Sequence, residues 1–324
     1  MSEFAFELEL CAVLEERRDG IIARQLGASV ADPGGRIIDV VVVEPGPAFD
    51  ERVAITPETI PAAAIEADVG PGRPRYWKDA FDCHPDRARR AVERALEVGF
   101  FEREYHNGRE YVRQVARYPD WVGRLVGIEN KPDLGRPGDL EEQLRTDVSL
   151  AVFDEVILAT ESYVTRAHLN RIPEEVGVWR VHTDREPTEI EVVREPIRLA
   201  VEEAGVEPLE SHPGQTDVAV VSAAKKARTR RRLAERAYGK GWRTFAFPAC
   251  RTCEPDDTTG ATLPSCAWKG RVVDAGSECA PSCGGYDPGE AAAIDLKAER
   301  DRQSPWVADP PGKRRRQTGL DRFR

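Results

Sequence analysis

The chain has 324 residues, with 47 Lys or Arg against 57 Asp or Glu and a formal net charge of −10 at pH 7. That length suits two or three domains, and no run of eighteen apolar residues exists to predict a membrane-spanning helix. Met1-Ser-Glu-Phe lacks the charged and apolar regions of a secretion signal, so the expectation is a soluble, cytoplasmic protein with no membrane partner.

In chain order, Phe4 to Arg18 carries apolar residues at helical spacing (Phe6, Leu10, Val13, Leu14), with Glu9 inside the pattern. Arg36-Ile-Ile-Asp39-Val-Val-Val-Val43 is β-branched and bounded by Asp-Pro-Gly-Gly and Pro-Gly-Pro, which predicts a buried strand with one acid in its interior. A carboxylate there costs several kcal/mol unless it is paired, hydrogen-bonded or bound to a metal. From Pro45 to Pro119 the chain changes character. An irregular, Pro-punctuated stretch leads into an amphipathic helix from Pro85 to Gly99, with Ala88, Val92, Ala95 and Leu96 on one face. An alternating strand, an Asn107-Gly108 turn and a second alternating strand follow, up to Val115. Arg87, Arg89, Arg90 and Arg94 of this helix suit either phosphate contacts or a salt-bridged face with Asp86, Glu93 and Glu97.

Val122 to Thr160 holds the pattern with the most chemistry in it. An apolar run ends on Glu129-Asn-Lys131, a charged helical segment containing Gln143 follows, and Phe153 to Thr160 reads as a second buried strand, so the stretch has the length of a βαβ unit. Acid-x-Lys occurs twice in the chain. The other copy, Asp295-Leu-Lys297, has no apolar run before it, so context selects Glu129 and Lys131. Thr183 to Gly214 reads as linker or short strands, and Val218 to Tyr238 reads as a helix carrying the basic run Lys225 to Arg232, which suits a phosphate backbone or a solvated surface.

Five of the seven cysteines cluster as Cys250-x2-Cys253-x12-Cys266-x12-Cys279-x3-Cys283. In a reducing compartment this favours metal over disulfide, with Zn2+ or an iron–sulfur cluster as the cofactor and five thiols for four positions. Cys11 is a further candidate ligand, but its place in the first helix favours a buried apolar role.

The order of acid on a first helix, acid on a strand, Glu-x-Lys on the next strand, crossover helix and strand resembles the PD-(D/E)xK nuclease superfamily, which includes archaeal Holliday-junction resolvases and RecB-type domains. The resemblance spans roughly Ser2 to Glu44 and Asp120 to Val181. It implies a restriction-endonuclease-like α/β fold, a mixed sheet flanked by helices, that hydrolyses DNA in repair or replication. Asp39 and Glu129 would hold Mg2+ or Mn2+, Glu9 would assist, Lys131 would orient the attacking water, and Gln143 would match a crossover-helix glutamine, although Asp147 stands where that family shows an aromatic. Ile38 stands where the motif has proline, and about ninety residues separate Asp39 from Glu129. The contrasting expectation is a DNA-binding or adaptor protein that keeps the fold without cleavage. The 45–119 segment resembles a winged helix inserted into the core.

The domain expectation is therefore a discontinuous core at 1–44 and 120–185, an insertion at 45–119, a linker and basic helix at 186–245, a Cys-rich metal module at 246–290 and a tail at 291–324. In that tail, Gln317, Leu320 and Phe323 are spaced like the peptide that docks on the sliding clamp PCNA. The whole chain also resembles a haloarchaeal protein family that implies no function. Its basic residues, 39 Arg against 8 Lys, and its acidity are similar to a haloarchaeal composition, in which salt weakens phosphate contacts.

Overall fold

The computed structural model describes residues 2–17, 20–32, 34–55, 59–115, 117–185, 187–257 and 260–303. Its centre is a six-stranded mixed sheet of β1 (Ile21–Gly27), β2 (Ile37–Pro45), β3 (Val122–Asn130), β4 (Glu155–Thr160), β5 (Gly177–His182) and β6 (Glu189–Arg194), ordered as numbered. The first three strands run antiparallel, β4 and β5 continue parallel to β3, and β6 turns back antiparallel. The β3–β4 crossover is helical, because parallel neighbours cannot be joined by a tight turn.

Side chains alternate along a strand, and here the alternation sorts residues between two apolar clusters. Val41, Val43, Leu125 and Leu158 pack with α2 (Leu140–Leu150) and α3 (Ala223–Lys240). Val40, Val42, Ile128 and Ile157 pack with α1 (Glu3–Arg17) on the opposite face. At Gly127 a Cβ would stand 2.8 Å from the Phe153 ring, so glycine is what lets the segment entering β4 lie close against β3.

The segment between β2 and β3 has its own apolar cluster, which includes Ile60, Trp77, Val92, Phe101 and Val112. Its helix spans Pro85–Glu97, and its strands Phe101–His106 and Arg109–Gln114 pair across Asn107 and Gly108, whose φ values of 51° and 74° are those a two-residue hairpin turn requires. A short strand, Arg75–Tyr76, adds to the hairpin. His84 caps the helix, its Nδ1 accepting the Asp86 amide at 3.3 Å. Arg89 and Arg94 pair with Glu93 and Glu97 as their spacing predicts.

Two expectations need correction. Val218 to Val221 is not helical: it belongs to a strand, Gln215–Val221, paired with Gly205–His212, because its β-branched residues suit a ladder, and the helix starts only after Ser222 caps it. The basic run is mostly not solvated. Lys226 donates to the Ala200 carbonyl at 3.0 Å, and Arg230 donates to Val152 O at 2.6 Å and to Asp154 at 2.7 Å. Arg232 donates to Ser29 O at 3.2 Å.

The Cys-rich segment forms a three-stranded sheet, Cys253–Asp256, Leu263–Cys266 and Arg271–Val272, and seats Leu263 and Val272 against the α1 cluster. Among the described residues, no helix is long and apolar enough to cross a membrane.

One buried ion pair ties the insertion to the core. Arg52 is fully buried; its Nη2 lies 2.6 Å from Glu235 Oε2 on α3, and Glu235 also accepts from the Ile60 amide, the Tyr118 hydroxyl and the Trp121 indole. Breaking such a pair from one side leaves the other charge buried, which costs about 3–5 kcal/mol. Glu235→Ala is expected to lose that much stability in urea unfolding, whereas Glu93→Ala, on an exposed pair, should lose under about 1 kcal/mol.

Candidate functional site

Asp39 stands where the β2–β3 ladder ends. Pairing runs from Pro45 opposite Val122 to Val40 opposite Ile128, and beyond it the Asn130 amide donates to Asp39 Oδ2 at 2.9 Å instead of to a strand carbonyl. Gln25 on β1, at a φ of 54°, donates Nε2 to Asp39 Oδ1 at 3.2 Å and to Glu7 Oε2 at 3.0 Å. Glu7, on α1 and 4% exposed, also accepts Arg24 Nε at 2.5 Å and Asn130 Nδ2 at 3.3 Å. The Asn130 Oδ1 atom is buried and has no hydrogen-bond partner among the described residues.

Glu129 is held by Arg36. The Arg36 Nη2 atom lies 2.6 Å from Glu129 Oε2 and 2.6 Å from Asp147 Oδ2, and Nε adds a 3.0 Å bond to Asp147 Oδ1. Lys131 anchors its amide to the Ala159 carbonyl at 2.9 Å and pairs its ammonium with Glu3 on α1.

These contacts set the charge states. Burial first, then the neighbouring Asp39, push the Glu129 carboxyl up to about 8 although Arg36 opposes them. Burial, with Glu7 adding to it, raises Asp39 to about 6 against the Asn130 hydrogen bond. Burial also raises Asp147 in spite of Arg36. Burial disfavours the Arg36 charge, but Asp147 and Glu129 outweigh it and hold the guanidinium above its usual range.

The structure therefore brings Asp39 and Glu129 together, with Lys131 two residues on. Glu9 points elsewhere: burial, Glu161 and Asp256 raise it to about 7, and the α1 acid that reaches Asp39's hydrogen-bond network is Glu7. Gln143 makes no side-chain hydrogen bond among the described residues, whereas Asp147, one turn on, binds Arg36. Sequence reasoning misses Glu7, Gln25, Arg36 and Asp147 as site residues. Asp147 carries a signal, an acid three residues after Leu144 and seven after Leu140 on the buried face of α2.

At the other candidate centre, Cys253 and Cys266 are Cα partners across an antiparallel pair and pack with Cys279. Burial, then Cys279, Cys266 and Cys250, push the Cys253 thiol up to about 12. Cys250 Sγ lies 2.9 Å from Thr252 Oγ1 and accepts the Asp287 amide at 3.4 Å, contacts that lower its thiol pKa. Cys279 is raised by burial and then by Cys266, Cys250 and Cys283 among its neighbours. Among the described residues no three His, Cys, Asp or Glu side chains are already arranged as a metal cage. Cys11 is fully buried within α1, as its apolar reading expects. Gln317, Leu320 and Phe323 lie outside the described residues.

Residues 21–288 match the model of a protein family described as a family of unknown function (DUF5787). No curated protein and no solved structure matches the chain.

Asp39 and Glu129 bind their protons more tightly folded than unfolded, so the stabilisation they contribute is complete below their ordinary values of 3.8 and 4.5 and is lost as pH rises through about 6 and about 8. Urea unfolding at steps from pH 5 to 8.5 should show stability falling. Glu129→Gln should flatten the decline throughout, up to about pH 8, and Asp39→Asn only its part below about pH 6; a decline unchanged in both variants would assign the pH dependence to other groups.

Proposed function

The chain belongs to the DUF5787 family, which carries no assigned chemistry, and we propose from its own residues that it is a metal-dependent nuclease hydrolysing phosphodiester bonds of DNA in repair or replication. The observation that carries this reading is a charge imbalance at the opening between β2 and β3. Among the described residues, four carboxyl groups, Glu7, Asp39, Glu129 and Asp147, gather there around two paired guanidinium groups, Arg24 and Arg36, with the Lys240 ammonium beside Glu7 as a third cation. The acids still outnumber the cations, Asp39 and Glu129 are held partly protonated by burial and by neighbouring carboxylates, and such a pair suits a divalent cation.

The donor set fits such an ion. Asp39 and Glu129 offer hard carboxylate oxygens, and the unpartnered Asn130 Oδ1 offers a neutral one from the residue next to Glu129. Mg2+ or Mn2+ bound to Asp39 and Glu129 would supply Lewis-acid stabilisation of charge on a phosphate. The chain's own part is to position. Lys131, whose present partner Glu3 is exposed, brings an ammonium that orients water and neutralises phosphate oxygens, and Gln25 and Asn130 fix Asp39.

The element order α1, β1, β2, β3, α2, β4, with an antiparallel trio and a parallel fourth strand, supports a restriction-endonuclease-like core, with Glu7 taking the first-helix role expected of Glu9. The helix and hairpin of the insertion support a winged-helix-like module. The paired Cys253 and Cys266, with Cys250, Cys279 and Cys283, suit Zn2+, or alternatively an iron–sulfur cluster, which would fasten the module against α1. One contact favours the second reading, a non-cleaving DNA-binding or adaptor protein: Arg36 already neutralises Glu129, the carboxylate the ion needs.

With Mg2+ or Mn2+ the purified protein is expected to cut duplex, forked or four-way-junction DNA, and Glu129→Ala and Lys131→Ala should each slow cutting about a hundredfold or more. Wild type that cuts none of these substrates would leave the adaptor reading. The protein should also contain about one equivalent of Zn2+, or an iron–sulfur absorption band, which Cys253→Ser and Cys266→Ser remove; metal-free protein with unchanged circular dichroism would end the Cys-module assignment.

A further inference from the structure

The arginines of this chain divide into those spent internally and those left over. Arg89 of the insertion helix turns to Glu93 and Glu110, and on α3 Arg230 and Arg232 turn to carbonyls and Asp154. Arg87, Arg90 and Arg236 are exposed and form no ion pair among the described residues. They also converge. Helix Ala62–Glu66 packs against both the Pro85–Glu97 helix and α3, and a cleft with a floor of Pro61, Ala62, Ala63 and Ala91 is flanked by Arg87, Arg90 and Arg94. Arg236 is on α3, the other helix that Ala62–Glu66 packs against, and after burial the charges of Arg232 and Arg87 lower its pKa, with Glu66 opposing. In a chain of net charge −10, like charges brought together over small apolar side chains are a cost that an anion removes.

Arg236 also lies beside β1, the strand that carries Gln25 of the carboxylate site. A Cβ built on Gly27, the last residue of β1, would lie 3.7 Å from Arg236 Nη1. Two residues back on that strand, Gln25 holds Asp39, and its carbonyl accepts Lys240 Nζ, one turn beyond Arg236 on α3, at 2.8 Å. A guanidinium fork matches a phosphate bidentately, and small floor residues let a backbone approach.

We propose that Arg87, Arg90 and Arg236 form a phosphate track that grips the backbone of duplex DNA between the insertion and α3 and leads it toward Asp39. This deepens the nuclease reading and rests on it for the direction of the track, but the grip is tested apart from cleavage. A fluorescein-labelled 30-base-pair duplex is titrated without added Mg2+ or Mn2+, so that nothing is cut, by the full chain and by the triple variant R87A/R90A/R236A, over a range of KCl concentrations and with thermal melts confirming that both are folded. Wild type is expected to bind, and the triple variant to bind about tenfold or more weakly, with the slope of log K against log salt smaller by about 2 to 3, near 0.9 for each phosphate no longer neutralised. R87K/R90K/R236K should keep most of the slope. Equal affinity and slope in wild type and triple variant would overturn the track, and would leave the nuclease reading standing if cutting in Mg2+ persists. Binding through the cleft by a protein that cuts nothing would do the reverse. Capture of labelled polyglutamate with no duplex binding would give the cleft to an acidic protein and overturn the proposal.

Discussion

The Arg36 guanidinium is shared between Glu129 at the end of β3 and Asp147 on α2, and the geometry of the carboxylate site depends on that sharing. A buried charge is tolerable only with its partners in place, so the three groups fix one another. Arg36 directly precedes β2, so the same contact sets where that strand begins, where β3 ends and how the crossover helix is rotated between them. Asp39 then falls at the point where β2 and β3 part, and its carboxylate takes over an amide that a regular ladder would have occupied.

Charge is distributed on a similar plan elsewhere. Asp154, 1% exposed, accepts the Leu125 amide and the Arg230 and Arg198 guanidinium groups, tying β3 to α3. Glu235 does the same for the insertion. The arginine-rich composition therefore serves the interior as well as the surface, since a planar guanidinium can bind two acceptors at once where an ammonium offers a point charge.

Much of this is legible in the sequence. The β-branched run around Asp39, the Glu129-Asn-Lys131 strand end, the crossover and the Asn107-Gly108 hairpin each follow from periodicity or turn chemistry, which are local. The first helix departs from expectation for a physical reason. An amphipathic pattern implies one wet face, but α1 is covered by the sheet on one side and by the Cys-rich sheet on another, so acids on both flanks of its apolar stripe are enclosed; Glu7, three residues before Leu10 and seven before Leu14, is the one turned toward Asp39, and Glu9 is not. Arg36 is invisible to local patterns because its partners lie 93 and 111 residues away. The strand Gln215–Val221 resembles the start of a helix because it runs directly into one and leaves Val218 and Val220 exposed.

The insertion interrupts the sheet between two of its central strands, and this bears on the order in which the chain folds. Until β2 and β3 meet, residues 46 to 121 form an open loop whose closure entropy grows with its length, and the acids at the opening cannot assemble. An apolar cluster of its own lets the insertion collapse on local contacts first, so that its two ends approach one another and the remaining closure is short. Arg52 and Glu235 then latch a folded insertion to a helix made much later in synthesis. On the ribosome the carboxylate site is thus completed in two stages: its β2 and β3 halves join once the insertion has closed, and α3 arrives afterwards to lock the arrangement.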